Sequence, residues 1–80
     1  MNPADISERV IETFREVFPD AKNIGHATTV DDIGNWDSLN HITLILAMER
    51  KFGLKFDLFE IIDLRDVKGM VEYIASKMTK

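Results

Sequence analysis

Apolar residues near the start of the chain recur every three or four positions, which is the spacing of one helix face. The members of this stripe are Ile6, Val10, Phe14, Val17 and Phe18. Asn2 can cap such a helix and Pro3 suits its first turn, while Pro19 ends it. The segment therefore predicts an amphipathic helix with one face on a core.

A second helix is predicted from Ser38 to Phe52, closed by Gly53. Its apolar residues fall on two nearly opposite sides. One stripe consists of Leu44, Ile45, Met48 and Phe52, and the other of Leu39, Ile42 and Leu46. A helix packed on one core needs a single stripe. The second stripe is therefore either covered by the preceding loop or offered to partner proteins.

Between these two helices, residues 20–36 show neither a helical nor a strand period. We predict a long ordered connection here, anchored on the core by Ile24, Val30 and Ile33. Connections of this length inside a compact domain are uncommon and are often functional.

The remainder of the chain predicts one short and one longer helix. Residues Leu54 to Leu64 mix apolar and acidic positions and favour a turn with a short helix. Asp66 can cap a final helix, in which Gly69 costs about 1 kcal/mol relative to alanine. The inner stripe of that helix is Leu64, Val67, Met70, Val71, Ile74 and Met78. The sequence therefore predicts an all-α fold, a four-helix bundle of three main helices and one short helix.

Length and charge narrow the classes of function. The 80 residues are expected to form one domain, 1–80. The formal net charge is −4 and no basic patch is visible, which argues against nucleic acid and favours positively charged partners. No apolar run predicts membrane insertion and no signal peptide is visible. We expect a cytoplasmic monomer, without disulfides because the chain has no cysteine.

Ser38 follows Asp37 at the start of the second helix and has two interpretations. In the first, its hydroxyl is only an N-cap, a common role for serine. In the second, it is an exposed hydroxyl at a helix N-terminus, where free N–H groups and the helix dipole favour a phosphate ester. Local sequence permits both.

Two other groups of residues do not form the sites that they first suggest. Ser38 and His41 are close enough on a helix to touch, but Asp37 is badly placed to orient the histidine for hydrolysis. A partly buried, hydrogen-bonded His41 is favoured, and no catalytic residue is assigned. Asp31, Asp32 and Asp37 lack the spacing of a calcium loop, so no built metal site is predicted.

The residues around Ser38 resemble a known family. The run Asp31 to Leu39 is similar to the modification segment of acyl carrier proteins, in which an Asp-Ser-Leu triplet follows a short glycine-containing loop. The helix after Ser38 resembles the family's second helix, and Val67, Val71 and Ile74 resemble its last one. The similarity extends over nearly the whole chain.

This resemblance implies a free-standing, non-catalytic carrier with a covalent cofactor. A phosphopantetheinyl transferase would attach 4′-phosphopantetheine from coenzyme A to Ser38, using Mg²⁺, and Asp37 would help to position the metal and coenzyme. Leu39 and Leu46 would contact the transferase and then the acyl-loading and acyl-processing enzymes, with Ile42 and Trp36 as further candidates. The arm would carry acyl groups as thioesters. In many members the acyl chain folds back between the helices, a role open here to Leu44, Ile45, Met48, Phe52 and Ile74.

Several departures from the family pattern bear on the pathway. Trp36 stands where fatty-acid carriers usually have a small residue, and it either shapes partner docking or anchors the loop. Thr43, Arg50 and Lys51 make the second helix less acidic than usual. This favours a specialised pathway, such as polyketide, modified-lipid or polysaccharide-associated acyl transfer, over housekeeping fatty-acid synthesis. Two alternatives stay open: an aminoacyl (D-alanyl-type) carrier, and a helical interaction module without a prosthetic group.

Overall fold

The computed structural model describes residues 3–78, with the side chain of Pro3 left out, and consists of four helices and one 3₁₀ turn. The elements are α1 (Pro3–Val17), the 3₁₀ turn (Val30–Asp32), α2 (Ser38–Phe52), α3 (Leu58–Ile61) and α4 (Val67–Met78). This confirms the predicted all-α fold of three main helices and one short helix. The proposed cap Asn2 lies outside the described residues. No helix within residues 3–78 is long and apolar enough to cross a bilayer.

The core is formed where α1 packs against both α2 and α4. The predicted inner stripes supply most of it, namely Ile6, Val10, Phe14, Phe18, Leu44, Ile45, Met48, Val67, Met70, Val71 and Ile74. Val17, Phe52 and Met78 were also predicted to face inward, and the structure leaves each of them half-buried. Each is the last residue of its helix, so it packs against the core from one side only. Leu64 was predicted in the stripe of the last helix, but it lies before α4 and is half-buried.

The long connection between α1 and α2 is ordered, as predicted. Ile24 and Ile33 are buried in the core, and Val30 packs against it. The Val30 amide donates to the Arg65 carbonyl (2.9 Å), and the Val67 amide donates to the Thr28 carbonyl (2.9 Å). The connection is thus hydrogen-bonded to the start of α4, which fixes its course towards α2.

Helix α2 ends at Gly53, as predicted. Gly53 has φ 65° and ψ 32°, the left-handed conformation that glycine adopts at low cost, and its amide bonds the Glu49 carbonyl. The Glu49 carboxylate in turn accepts the Phe56 amide (2.9 Å). This leads the chain directly from the end of α2 towards α3.

Helix α3 is attached to α4 by polar contacts at its start and along one side. Asp57 caps it by accepting the Phe59 amide (2.9 Å). The Tyr73 hydroxyl of α4 accepts the Asp57 amide (3.1 Å) and donates to Glu60 (2.9 Å). Lys77 also pairs with Glu60 (3.4 Å). These contacts hold the Glu60 side of α3 against α4.

Asp66 caps α4, as predicted, and this cap explains the glycine in the first turn. Asp66 Oδ1 accepts the Gly69 amide at 2.6 Å. A methyl group built on Gly69 would lie 2.6 Å from that same oxygen and 3.4 Å from Leu64. A side chain at position 69 would therefore collide with the Asp66 carboxylate unless that carboxylate moved.

We therefore expect Gly69→Ala to give no net stabilisation, although alanine favours a helix by about 1 kcal/mol over glycine. The methyl group must displace the Asp66 cap, which costs about 1 kcal/mol. Urea denaturation of the single and double variants checks this. In the Asp66→Ala background the cap is already absent, so Gly69→Ala should there raise the unfolding free energy by about 1 kcal/mol. An equal gain in both backgrounds would contradict the prediction.

Candidate functional site

The N-terminus of α2 is capped by Asp37, not by Ser38. Asp37 has extended backbone (φ −107°), and its Oδ1 accepts the Asn40 amide at 2.9 Å. Its carbonyl accepts the His41 amide at 2.8 Å. The interpretation of Ser38 as the N-cap is therefore wrong, because the preceding aspartate already occupies that position. Ser38 is the first residue of the helix, and its side chain is exposed.

The turn before Ser38 is fastened to the first turn of α2. The Asn35 carbonyl accepts the side-chain amide of Asn40 (2.7 Å) and the backbone amide of Asp37 (3.1 Å). Asn40 thus bonds both Asn35 and Asp37. The backbone around Ser38 is therefore held in one conformation by short-range hydrogen bonds.

Trp36 anchors this loop on the core, which decides between its two interpretations. Only 5% of the residue is exposed. Its ring meets Phe14 edge-on with centroids 5.2 Å apart and lies 5.9 Å from Phe18. A side chain buried in this way does not present its ring to a partner, so the structure does not support Trp36 as a docking residue.

His41 lies beneath the loop and uses both ring nitrogens. The residue is 1% exposed. Trp36 Nε1 donates to His41 Nδ1 at 2.9 Å, so Nε2 carries the proton and faces the Ile61 carbonyl at 3.3 Å. The prediction of a hydrogen-bonded histidine is confirmed, and the side chain is more deeply buried than predicted. The ring is engaged inside the fold with Trp36 and Ile61, so the pairing of Ser38 with His41 that suggested a hydrolase is not formed.

Burial lowers the pKa of His41 below its ordinary value of 6.5, and the charge of Arg65 acts in the same direction. The bond to the Ile61 carbonyl and the charge of Asp63 oppose this shift in pKa. The unfolded chain therefore takes up a proton at a higher pH than the folded one. The contribution of the neutral His41 to folding stability is fully present above pH 6.5 and is lost as the pH falls below 6.5 towards the folded pKa.

We expect the free energy of unfolding to fall as the pH is lowered from 7.5 to 5.5. Below the ordinary histidine pKa, the contribution of His41 to this slope is at most about 1.4 kcal/mol per pH unit. Urea titrations at several pH values measure this slope. His41→Asn should flatten it, whereas His26→Asn, at an exposed loop position, should retain it. The same slope in wild type and His41→Asn would contradict the assignment.

The second apolar stripe of α2 is not covered by the loop. Leu39 is 76% exposed and Leu46 is 53% exposed, while Ile42 is half-buried between them. Of the two interpretations of this stripe, the structure excludes coverage. Ser38 and these side chains share the outer side of α2.

Helix α3 adds exposed apolar residues that the sequence did not predict. Phe59 is 92% exposed, Leu58 50% and Ile62 37%. Hydrophobic periodicity did not predict this exposed group, because a helix of four residues is too short to define an apolar stripe. The bond between His41 and the Ile61 carbonyl places the end of α3 beside the first turn of α2. The molecule thus exposes apolar side chains on two neighbouring helices.

The surroundings of Ser38 are compatible with a phosphodiester. Ser38 is exposed, as are Asp37 before it and Leu39 after it. The N-terminal turn of a helix provides N–H groups and the positive end of the dipole, which stabilise a phosphate. No set of three candidate metal ligands occurs among residues 3–78.

Comparison with known families accounts for this arrangement. The family model described as a phosphopantetheine attachment site matches residues 8–74, which contain the whole of α2 and the Asp-Ser-Leu triplet. Proteins of this family carry 4′-phosphopantetheine covalently and act as carrier domains that are generally non-catalytic. The chain therefore belongs to the phosphopantetheine-attachment family of acyl-carrier-protein-like proteins.

Proposed function

We propose that residues 1–80 form a single carrier domain that holds acyl groups on a 4′-phosphopantetheine arm attached to Ser38. The observation that carries this proposal is the exposed hydroxyl of Ser38 at the first residue of α2. When bound, the arm supplies a thiol that keeps the acyl carbonyl electrophilic and raises its effective concentration at partner sites.

Comparison of the three serines supports Ser38 as the attachment residue. Ser38 is the only serine between residues 8 and 74, the region that the family model matches. Ser7 and Ser76 lie outside that region, in α1 and α4. The hydroxyl of Ser76 donates to the Tyr73 carbonyl at 2.7 Å. Only Ser38 combines exposure, a helix N-terminus and the matched region.

Asp37 is proposed to assist attachment as well as to cap the helix. Its Oδ1 is engaged with the Asn40 amide, and the side chain is exposed. A carboxylate in this position can hold Mg²⁺ together with ligands from coenzyme A and the transferase. The same side chain would then fix the helix start and orient the incoming metal.

The proposed docking surface for the transferase and acyl-processing enzymes consists of Leu39, Ile42 and Leu46. Of the charged residues near it on α2, Glu49 and Lys51 are engaged within the fold, whereas Arg50 is exposed beside Leu46 at its edge. Glu49 bonds the Phe56 amide, and Lys51 pairs with Glu16 (2.9 Å) and Glu12 (3.8 Å) of α1. The centre of the surface is therefore apolar.

This weakly charged surface supports a partner enzyme from a specialised pathway. Polyketide, modified-lipid and polysaccharide-associated acyl transfer are the proposed settings, in preference to housekeeping fatty-acid synthesis. A D-alanyl-type aminoacyl carrier is the second candidate, since that class also has an aspartate before the serine, as Asp37 is here.

Incubation with coenzyme A, Mg²⁺ and a permissive phosphopantetheinyl transferase tests the proposal by intact mass. We expect one phosphopantetheinyl group to be added. In this step a bond forms between Ser38 Oγ and phosphorus, adenosine 3′,5′-bisphosphate leaves, and the hydroxyl proton is lost. Absence of any addition to the folded protein would instead favour a helical interaction module.

A further inference from the structure

One buried side chain joins three segments around Ser38. His41 belongs to α2, its Nδ1 accepts from Trp36 of the preceding loop (2.9 Å), and its Nε2 faces the carbonyl of Ile61 in α3 (3.3 Å). The ring also lies 5.8 Å from the indole of Trp36, centroid to centroid. Loop, helix and α3 therefore meet at a single imidazole.

The loop end of this connection controls the approach to Ser38. Trp36 lies two residues before the serine, and its indole packs on Phe14 and Phe18. The bond to His41 fixes how the indole is oriented in that aromatic cluster. Because Trp36 is only two residues before Ser38, we expect a change in the orientation of the indole to shift the backbone that carries the Ser38 hydroxyl.

The α3 end of this connection fixes a helix that cannot stabilise itself. Four residues are too few for an independent helix, so α3 depends on its external contacts. Glu60 holds one side to α4 through Tyr73 and Lys77. On the side that faces α2, the hydrogen bond between the His41 side chain and the Ile61 carbonyl joins the two helices. His41 thus completes the attachment of α3.

We propose that His41 is a positioning residue for the reaction at Ser38, since its Nδ1 holds the indole of the serine-bearing loop, and that its Nε2 couples this loop to α3. The role in the reaction rests on the proposed function, whereas the coupling between loop and α3 does not. His41 touches no reacting atom. It acts through Trp36 on the loop and through Ile61 on α3.

Two substitutions separate the two bonds of the imidazole. Asparagine at position 41 can place its side-chain oxygen where Nδ1 lies, which keeps an acceptor for Trp36. Glutamine can place its side-chain nitrogen where Nε2 lies, which keeps a donor for Ile61. Trp36→Phe removes the indole donor and retains an aromatic ring. Val10→Ala, in the buried face of α1, is the control for a general loss of stability.

Amide hydrogen exchange of the unmodified protein tests the coupling. The amides of Ile61 and Ile62 report on α3, because they bond the carbonyls of Asp57 and Leu58. We expect Trp36→Phe to accelerate their exchange about fivefold, the equivalent of one weakened hydrogen bond. In a His41→Asn background, which lacks the bond to Ile61, Trp36→Phe should change the exchange rate of these two amides less than twofold. Equal acceleration in both backgrounds, or none, would overturn the coupling.

Steady-state kinetics of phosphopantetheinyl transfer test the positioning role. His41→Gln and Trp36→Phe, which lose the loop bond, should each lower kcat about fivefold with KM within about twofold. His41→Asn retains that bond and should keep kcat near that of wild type, as should Val10→Ala. Equal kcat values for the Asn and Gln variants would overturn the role of His41. If the wild type did not accept the phosphopantetheinyl group, the proposed function alone would be refuted. The hydrogen-exchange experiment would still test the coupling between the loop and α3.

Discussion

Replacing Ser38 with alanine is expected to abolish addition of the phosphopantetheinyl group while leaving the fold intact. The substitution removes the one serine hydroxyl within the family-matched region. Ser38 is exposed and does not cap α2, so the unfolding free energy should change by less than about 0.5 kcal/mol. Intact mass after transferase treatment measures the modification, and thermal unfolding measures the stability.

Two matched variants sharpen the result for Ser38. Ser76→Ala removes an exposed serine of α4 and should be modified like wild type. Asp37→Ser keeps a good N-cap but removes the carboxylate, so it should fold normally and be modified more slowly. A full mass addition to Ser38→Ala would move the attachment to another residue and refute the assignment.

The three main helices were predictable because each presents one long apolar stripe to the core. In α1, Ile6, Val10 and Phe14 repeat at helical spacing and are all buried. The end of α2 was equally predictable, since the glycine at position 53 adopts the left-handed conformation of a helix C-cap at low cost. These signals are local in the sequence, and local patterns are what periodicity and capping rules detect.

The start of α2 shows how far local rules reach. Asp37 and Ser38 are both good N-caps and adjacent, so composition cannot place the helix boundary within one residue. The structure selects Asp37 because its carboxylate reaches the Asn40 amide. That choice matters for function, because it leaves the serine hydroxyl outside the cap.

The contacts around Trp36 and His41 were beyond sequence reasoning because their partners are distant along the chain. Trp36 packs on Phe14 of α1 and on Phe18 just after that helix, and His41 bonds the Ile61 carbonyl twenty residues later. No period or motif encodes such pairings. A large aromatic residue and a histidine five positions apart, at a helix start, are the only visible signal.

Phe14→Ala is expected to cost about 3–5 kcal/mol, the largest stability effect of any single substitution considered. The ring is fully buried on α1 and touches both Phe18 and the indole of Trp36. Its removal leaves a cavity beneath the loop that carries Ser38. A domain of this size has a total stability of about 4–12 kcal/mol, so much of it would be lost. Thermal unfolding should show a midpoint at least about 12 °C below wild type.

The phenylalanines of this chain provide the controls for Phe14. Phe59 is 92% exposed, so Phe59→Ala should change the unfolding free energy by less than about 0.5 kcal/mol. Phe52 belongs to the predicted inner stripe of α2 but is only half-buried, so the effect of Phe52→Ala should fall between the other two. This order follows from burial alone, since the chemical change is the same at each site. A midpoint for Phe14→Ala close to wild type would mean that the core does not lie between α1 and the loop before α2, and the support for Ser38 would then have to come from elsewhere in the fold.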